Sequence, residues 1–167
     1  MSATPTNLEF ALAQWCVLNL PEAPVLWQGQ DVGHRVFPLT ILSWVAPEWS
    51  EAASDQVRPL GNDVYEVSLR RERTLQIYIE SEAVVGTLSA VALAKKLRDK
   101  VRLQATFDHF SLVPAVIVAA GPIVGHPVVH ETGFVGSCSF DLHLRYAEAL
   151  TETIGGISTV VFPMLPT

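Results

Sequence analysis

The chain has 167 residues, of which 49% are hydrophobic and 17% are charged, and its net charge is −6. The length suits one domain, and the charged fraction is low beside the roughly 25% of typical domains, which indicates either an extended core or a buried subunit interface. The acidic balance argues against tight binding to DNA or RNA, and the lack of any run of about 18 apolar residues argues against a membrane-spanning helix.

The cysteines and the first residues indicate the compartment. Cys16 and Cys138 lie in apolar stretches and lack the spacing of a disulfide framework or a zinc site. They predict two buried, reduced thiols, the state typical of a reducing cytosol. Residues 1–5 lack the basic segment and apolar core of a signal peptide, so we expect no secretory leader.

The first half of the chain predicts one helix and then a series of strands. Apolar residues at three- and four-residue spacing predict an amphipathic helix over 6–19, which Pro21 ends. Residues 46–62 contain two prolines and predict a long loop. Strands are predicted at 25–27, 37–45, 64–71 and 74–80, with apolar and polar residues alternating in the last two.

The second half predicts a main helix followed by strands. This helix is expected from Ser81 or Glu82 to about Leu103, with one apolar stripe against the sheet. Strands are predicted at 112–120, 134–146 and 154–162, with a loop over 121–133 and a loose or partner-bound tail over 163–167. The order predicts a single α+β domain over residues 1–167: a mainly antiparallel β-sheet with an N-terminal helix and one long central helix packed on one face.

Three features are candidates for contact with other subunits or partners. A second apolar face on the predicted main helix indicates either a subunit interface or further packing within the chain. The tryptophan in the predicted loop 46–62 is either an anchor for a partner or a ring folded back onto the core. A basic run in the strand over 64–71 and just beyond it is a third candidate, with a solvated face of mixed charge as the alternative. The candidate residues are Val84, Leu88 and Val91 on the second helix face, Trp49 in the loop, and Arg70, Arg71 and Arg73 in the basic run.

Nothing in the sequence predicts a catalytic, metal or cofactor site. His126 and His130 have a metal-ligand spacing only within a helix, and Pro127 and the β-branched residues after it disfavour a helix there. Asp108 and His109 have no serine or cysteine in a nucleophile motif to act on, and the phosphate-binding glycine motifs are absent from the sequence. We therefore expect that the chain is not an enzyme and uses no cofactor.

Six segments occur in an order that carries a family resemblance. They are Leu12-Ala13-Gln14-Trp15, Trp27-Gln28-Gly29-Gln30, Phe37-Pro38-Leu39-Thr40-Ile41, Leu75-Gln76-Ile77, the Ala/Leu-rich residues 90–97, and Phe140-Asp141-Leu142-His143-Leu144-Arg145-Tyr146. In this order, over nearly the whole chain, the sequence resembles the neck terminator, or tail-completion, proteins of tailed bacteriophages.

The resemblance implies a structural role in the virion. Tail terminators form a ring, typically of six copies, which caps the head-proximal end of the tail tube and joins it to the head–tail connector. DNA would pass through the lumen without specific binding, as the acidic chain permits. The alternatives are another head-closure, connector or tail-tube component, or a ligand-binding α+β domain whose polar candidates are His109, His126, His130 and Asp141.

Overall fold

An eight-stranded sheet organises the part of the chain that the computed structural model describes, residues 7–30, 36–50, 56–61, 64–82, 88–113, 115–126, 128–130 and 133–153. The helices in these residues are α1 (Asn7–Asn19), α2 (Ala90–Lys100) and α3 (Gln104–Ser111). The strands are β1 (Val25–Trp27), β2 (Leu39–Ser50), β3 (Gln56–Gly61), β4 (Val64–Glu82), β5 (Ala115–Ala120), β6 (Val124–Gly125), β7 (Val128–His130) and β8 (Gly133–Thr153).

The two long strands β4 and β8 lie at the centre of the sheet. The order is β1-β2-β4-β8-β5, with β3 paired to β4 beyond β2, and with β6 and β7 paired to β8 beyond β5. The β1–β2 pair is parallel and the other pairs are antiparallel. The predicted α+β class with a mainly antiparallel sheet is therefore confirmed.

One face of the sheet forms the core together with the helices. Leu75, Ile77 and Ile79 of β4 are fully buried, and Ile77 lies opposite Phe140 of β8 in the register. This side-chain alternation is what a sheet with one covered face requires. The helices contribute further fully or nearly fully buried side chains, which include Leu12, Trp15 and Cys16 of α1, Leu93 and Leu97 of α2, and Phe110 of α3.

The single long central helix was a wrong prediction. Strand β4 continues to Glu82, which pairs with Val135 of β8, so the backbone at the predicted start of the helix belongs to the sheet. Helix α2 begins only after Ser89, whose hydroxyl accepts a hydrogen bond from the Ala92 amide. It ends at Lys100, residues 101–103 form a turn, and a separate helix that the sequence analysis did not predict, α3, begins at Gln104.

Other boundaries also differ from the sequence prediction. Strand β2 extends through Pro47, with a bulge between Val45 and Trp49, and β3 replaces the end of the predicted loop. The two strands predicted at 64–71 and 74–80 are one strand of 19 residues, and β8 runs seven residues past Tyr146. The predicted loop 121–133 contains β6 and β7, while the predicted strand 154–162 and the tail 163–167 lie outside the described residues.

Candidate interaction surface

A projecting part of the sheet, here called the β-arm, is the most prominent surface feature. It consists of β3, β4 from Val64 to Arg73, and β8 from Arg145 to Thr153. Its ten residues of β4, at about 3.3 Å each, span roughly 33 Å, and nine of them pair with the β8 part of the arm. None of its described side chains is buried, whereas Leu75 and Leu144, next to it in the two strands, are fully covered. The β-arm thus extends past the helix-covered core.

An aromatic and charged cluster lies where the β-arm leaves the core. The guanidinium of Arg73 lies 4.1 Å from the centroid of the Trp44 ring, a cation–π arrangement. Trp44 Nε1 donates to Glu9 Oε1 at 2.9 Å, and the Trp27 and Trp44 rings are 5.6 Å apart. Arg73 Nε is buried and has no hydrogen-bond partner in the described structure. The structure therefore gives Arg73, a candidate contact residue, an intramolecular role at the base of the β-arm.

The other two arginines of the basic run lie farther out on β4. Arg70 is exposed and Arg71 is half-buried. Between Arg71 and Arg73, Glu72 accepts a hydrogen bond from Arg145 Nε of β8 at 2.7 Å. The basic run is thus a strand of mixed charge within the β-arm.

The apolar candidates near α2 do not share one helix face. Leu88 precedes the helix, and its carbonyl accepts a hydrogen bond from Ser81 Oγ at 2.8 Å. Val91 is in the first turn of α2, and the two side chains are 52% and 51% exposed. Val84 lies outside the described residues. The prediction of a second helix face is therefore corrected for Leu88, while the exposed state of both residues is compatible with an interface.

Trp49 is in strand β2 rather than in a loop. Its backbone pairs with Glu72 in β4, after the bulge that follows Val45. This position places Trp49 beside the base of the β-arm.

A cleft that the sequence analysis did not find separates the ends of α2 and α3 from β5. Its volume is about 530 Å³, and we call it the β5 cleft. Arg98, Asp99, Arg102 and Phe107 line it on the helix side, and Val118 lines it on the β5 side. The available signal was the uncharged sequence of β5, which the sequence analysis predicted only as part of a strand over 112–120.

Helix α1 presents a second apolar surface that the sequence analysis also missed. Its outward side carries Phe10, Val17 and Leu18, all exposed, and Glu9 is its one charged residue. Apolar residues on all sides of a helix are typical of a helix that other protein surfaces cover on all sides.

The described polar ligand candidates lie on both faces of the sheet. His109 Nε2 lies 2.8 Å from the Ala11 carbonyl oxygen, within the helical layer. His126 stacks on Tyr78 and lies 2.8 Å from Ser139 Oγ, on the other face of the sheet. The His130 side chain lies outside the described structure, and Asp141 is half-buried on β8. In the described ranges, no group of three or more His, Cys, Asp or Glu side chains is arranged to hold a metal ion.

Two sequence comparisons assign no family to the chain. No protein-family model matches the chain, and no curated protein matches it significantly. Among the described helices, none is long and apolar enough to cross a membrane. The functional interpretation therefore rests on the surfaces above and on the resemblance in motif order.

Proposed function

We propose that this chain is a structural protein of a tailed-bacteriophage neck. In this proposal it is a tail terminator that forms a ring of six copies at the head-proximal end of the tail tube. The ring would stop tube growth, join the tube to the head–tail connector, and let DNA pass through its lumen. The protein would be made in the host cytoplasm and reside in the virion.

The β-arm is the observation that carries this proposal. A ribbon of sheet roughly 33 Å long gains little stability from its own chain where none of the described residues forms a layer over it. Assembly with neighbouring copies or with the tail tube would supply that layer. A protein that acts alone on a small ligand has no need of such an extension.

Exposed apolar surfaces also support an assembly role. Phe10 and Leu18 on α1 are exposed, and so are Val116 and Val118 on β5, the strand that pairs with β8 at the base of the β-arm. Such surfaces in one small protein are typical of contacts with more than one neighbour. A ring component between a tube and a connector needs its own copies and both partners.

The charge of the chain suits a lumen through which DNA moves. A net charge of −6 does not hold the phosphate backbone of DNA, since tight nucleic-acid binding requires a basic surface. We expect weak binding of the purified protein to duplex DNA at physiological salt. Submicromolar affinity there would contradict the proposed passage of DNA.

Light scattering after size exclusion tests the proposal, with the protein alone and mixed with tail tubes of the same virus. A ring that forms alone or on tube ends, visible as a cap in electron micrographs, supports a terminator. A persistent 18.2 kDa monomer that ignores tubes overturns it. The search for a ligand would then begin at the cavity of about 320 Å³ beside Trp27 and Tyr78.

A further inference from the structure

Strand β5 is the least protected edge of the described sheet. No described strand pairs with its outer side. Its six residues, Ala115–Ala120, include no charge and no proline, and Val116 and Val118 are 39% and 55% exposed. A bulge at Val118 protects it in part. An edge strand presents backbone N–H and C=O groups that pair with an incoming strand, so we expect this edge to be covered when the protein functions.

The other open edges of the described sheet carry the usual protection against strand addition. Strand β3 contains Arg58 and Pro59, and the outer part of β2 contains Pro47 and Glu48. The part of β8 past Tyr146 contains two glutamates, and β1, β6 and β7 have two or three residues each. Charge, proline and short length all disfavour an added strand. The contrast indicates that an incoming strand would add at β5.

The β5 cleft lies beside this edge and can receive side chains from an added strand. Its volume of about 530 Å³ is in the range of ligand pockets. Phe107, 47% exposed, and Val118 give it apolar surface. Arg98 and Arg102, with Asp99, give it a net positive charge. In strand addition, backbone hydrogen bonds bind the incoming segment, and pockets for its alternate side chains select it.

The positive charge continues along α2 beyond the cleft. Residues 95–102 contain five of the 11 Lys and Arg residues of the chain and one Asp, a net charge of +4 on a chain whose total is −6. Lys95 lies one turn before Arg98 on the same side of α2, because side chains three residues apart on a helix are neighbours. A basic patch on an acidic molecule favours an acidic partner at that patch.

The edge and the charge together define the occupant of the cleft. An edge strand offers hydrogen-bonding groups at the repeat of another strand, which a peptide backbone matches and a nucleic acid does not. A second copy of the chain, paired β5 to β5, would bring the basic residues of both clefts together, and like charges disfavour that pairing. These two arguments favour an acidic peptide segment of another protein.

We propose that the β5 edge and cleft bind an extended segment of a partner protein with Asp or Glu at alternate positions. The backbone of this segment adds to β5 as a further strand, and its carboxylates face Arg98 and Arg102. The proposal goes beyond the neck role and does not depend on it, because a chain with another assembly function would bind the same segment through the same groups.

Fluorescence anisotropy with a short labelled peptide of alternating Thr and Glu tests the charge of the site. The peptide should bind with a Kd of about 0.1 mM or lower, and added salt should weaken it. Arg98→Gln/Arg102→Gln should weaken binding about tenfold or more. The matched control is Arg58→Gln/Arg70→Gln, the same change at two exposed positions of the β-arm, and it should bind like wild type. Circular dichroism establishes that each variant is folded.

Two N-methylated forms of the same peptide test the added strand without any change to the protein. One is methylated on the threonine backbone nitrogens and the other on the glutamate backbone nitrogens. Alternate residues of a strand direct their backbone groups to the same edge, so only one of the two sets would face β5. One peptide should therefore lose binding and the other should retain it.

Several results would overturn the site. These are no binding of the unmodified peptide up to about 1 mM, equal binding of the two methylated peptides, or an equal loss in the control variant. If binding is absent and light scattering shows an oligomer, a second copy is the better occupant of the edge. An oligothymidylate that binds more tightly than the peptide, and loses affinity in the Arg98/Arg102 variant, would assign the cleft to nucleic acid instead. The peptide is measured without tail tubes, so its failure leaves the neck role intact, and failure to cap tubes leaves this site intact.

Discussion

The indole N–H of Trp15 donates a hydrogen bond to Thr106 Oγ1 at 3.1 Å, which links α1 to the start of α3 across 91 residues of sequence. Thr106 Oγ1 in turn donates to the Lys100 carbonyl at 2.7 Å. Thr106 is almost fully buried, so both bonds are shielded from water. The hydroxyl therefore satisfies a carbonyl at the end of α2 and fixes the break between the two helices.

Replacement of Thr106 by Val should destabilise the fold by about 1–3 kcal/mol, because it leaves the Trp15 N–H and the Lys100 carbonyl buried without this partner. Urea unfolding followed by circular dichroism measures the change. Thr106→Ser is the control, since it keeps the hydroxyl and should retain much of the stability. Equal unfolding free energies of Thr106→Val and Thr106→Ser would show that these hydrogen bonds do not stabilise the break between α2 and α3.

The same residues explain why the sequence predicted one long helix. Residues 90–103 have continuous helical periodicity, and the hydroxyl that ends α2 comes from a residue beyond them. The start of this helix was predicted too early in the sequence for a similar reason. Ser81 and Glu82 have the composition of a helix start, but pairing with Gly136 and Val135 keeps them in β4, and such long-range pairing is not encoded locally. The α1 helix and β1, whose signals are local, were predicted within one residue.

Both cysteine thiols should be unreactive in the folded protein. Cys16 and Cys138 are fully buried and unbonded, as predicted. Burial raises the pKa of the Cys138 thiol to about 11 and raises that of Cys16 as well. Because the thiolate is the reactive form, iodoacetamide at about pH 8 should label neither residue on the timescale of a free thiol.

Mass spectrometry of the intact protein measures this labelling. Protein unfolded in urea is the control and should take up two labels quickly. Rapid labelling of either cysteine in the native protein would contradict the placement of both in the core. Labelling that rises with urea would report global unfolding.

The ion pair between Lys96 and Glu22 should make a small, pH-dependent contribution to stability. Lys96 Nζ lies 2.7 Å from Glu22 Oε1, and this hydrogen bond lowers the pKa of the Glu22 carboxyl. A lowered carboxyl pKa stabilises the fold above the pKa of the unfolded chain, and this stabilisation is lost as the pH falls through the folded value. Since both side chains are partly exposed, the effect should be under about 1 kcal/mol.

Lys96→Gln measures the contribution against wild type at several pH values. The difference in unfolding free energy should be present at pH 7 and decline as the pH falls below the ordinary pKa of a glutamate, about 4.3, and added salt should reduce it. Lys95→Gln, an exposed neighbour on α2, is the control. An equal loss in both variants would indicate a general charge effect rather than this pair.

The candidate surfaces were predicted less well than the core, for a physical reason. Alternation and helical periodicity identify residues that face a core, and they located the buried side chains of β4 and β8. An edge strand such as β5 has the same apolar composition as a central strand, so the sequence alone does not distinguish them. The prolines Pro47 and Pro59 indicated a loop because proline disfavours central strands, yet both lie in strands at bulges or edges.

Leu88→Asp and Val91→Asp should leave the fold intact and weaken any oligomer that uses this region. Both side chains are half-exposed, so the change in unfolding free energy should stay within about 0.5 kcal/mol. Val91 lies in the first turn of α2, where a carboxylate is favourable to the helix dipole. An aspartate in an apolar interface would instead have to be buried without a partner, which strongly disfavours association.

Light scattering of each variant, alone and with tail tubes, gives the oligomeric state, and thermal unfolding gives the stability. Val124→Asp, on β6 and also about half-exposed, is the matched control and should associate like wild type. If Val91→Asp dissociates while Leu88→Asp does not, the interface involves helix α2 itself and not the segment that precedes it. If neither variant changes the mass, or if either unfolds, this region is not the interface that the sequence predicted.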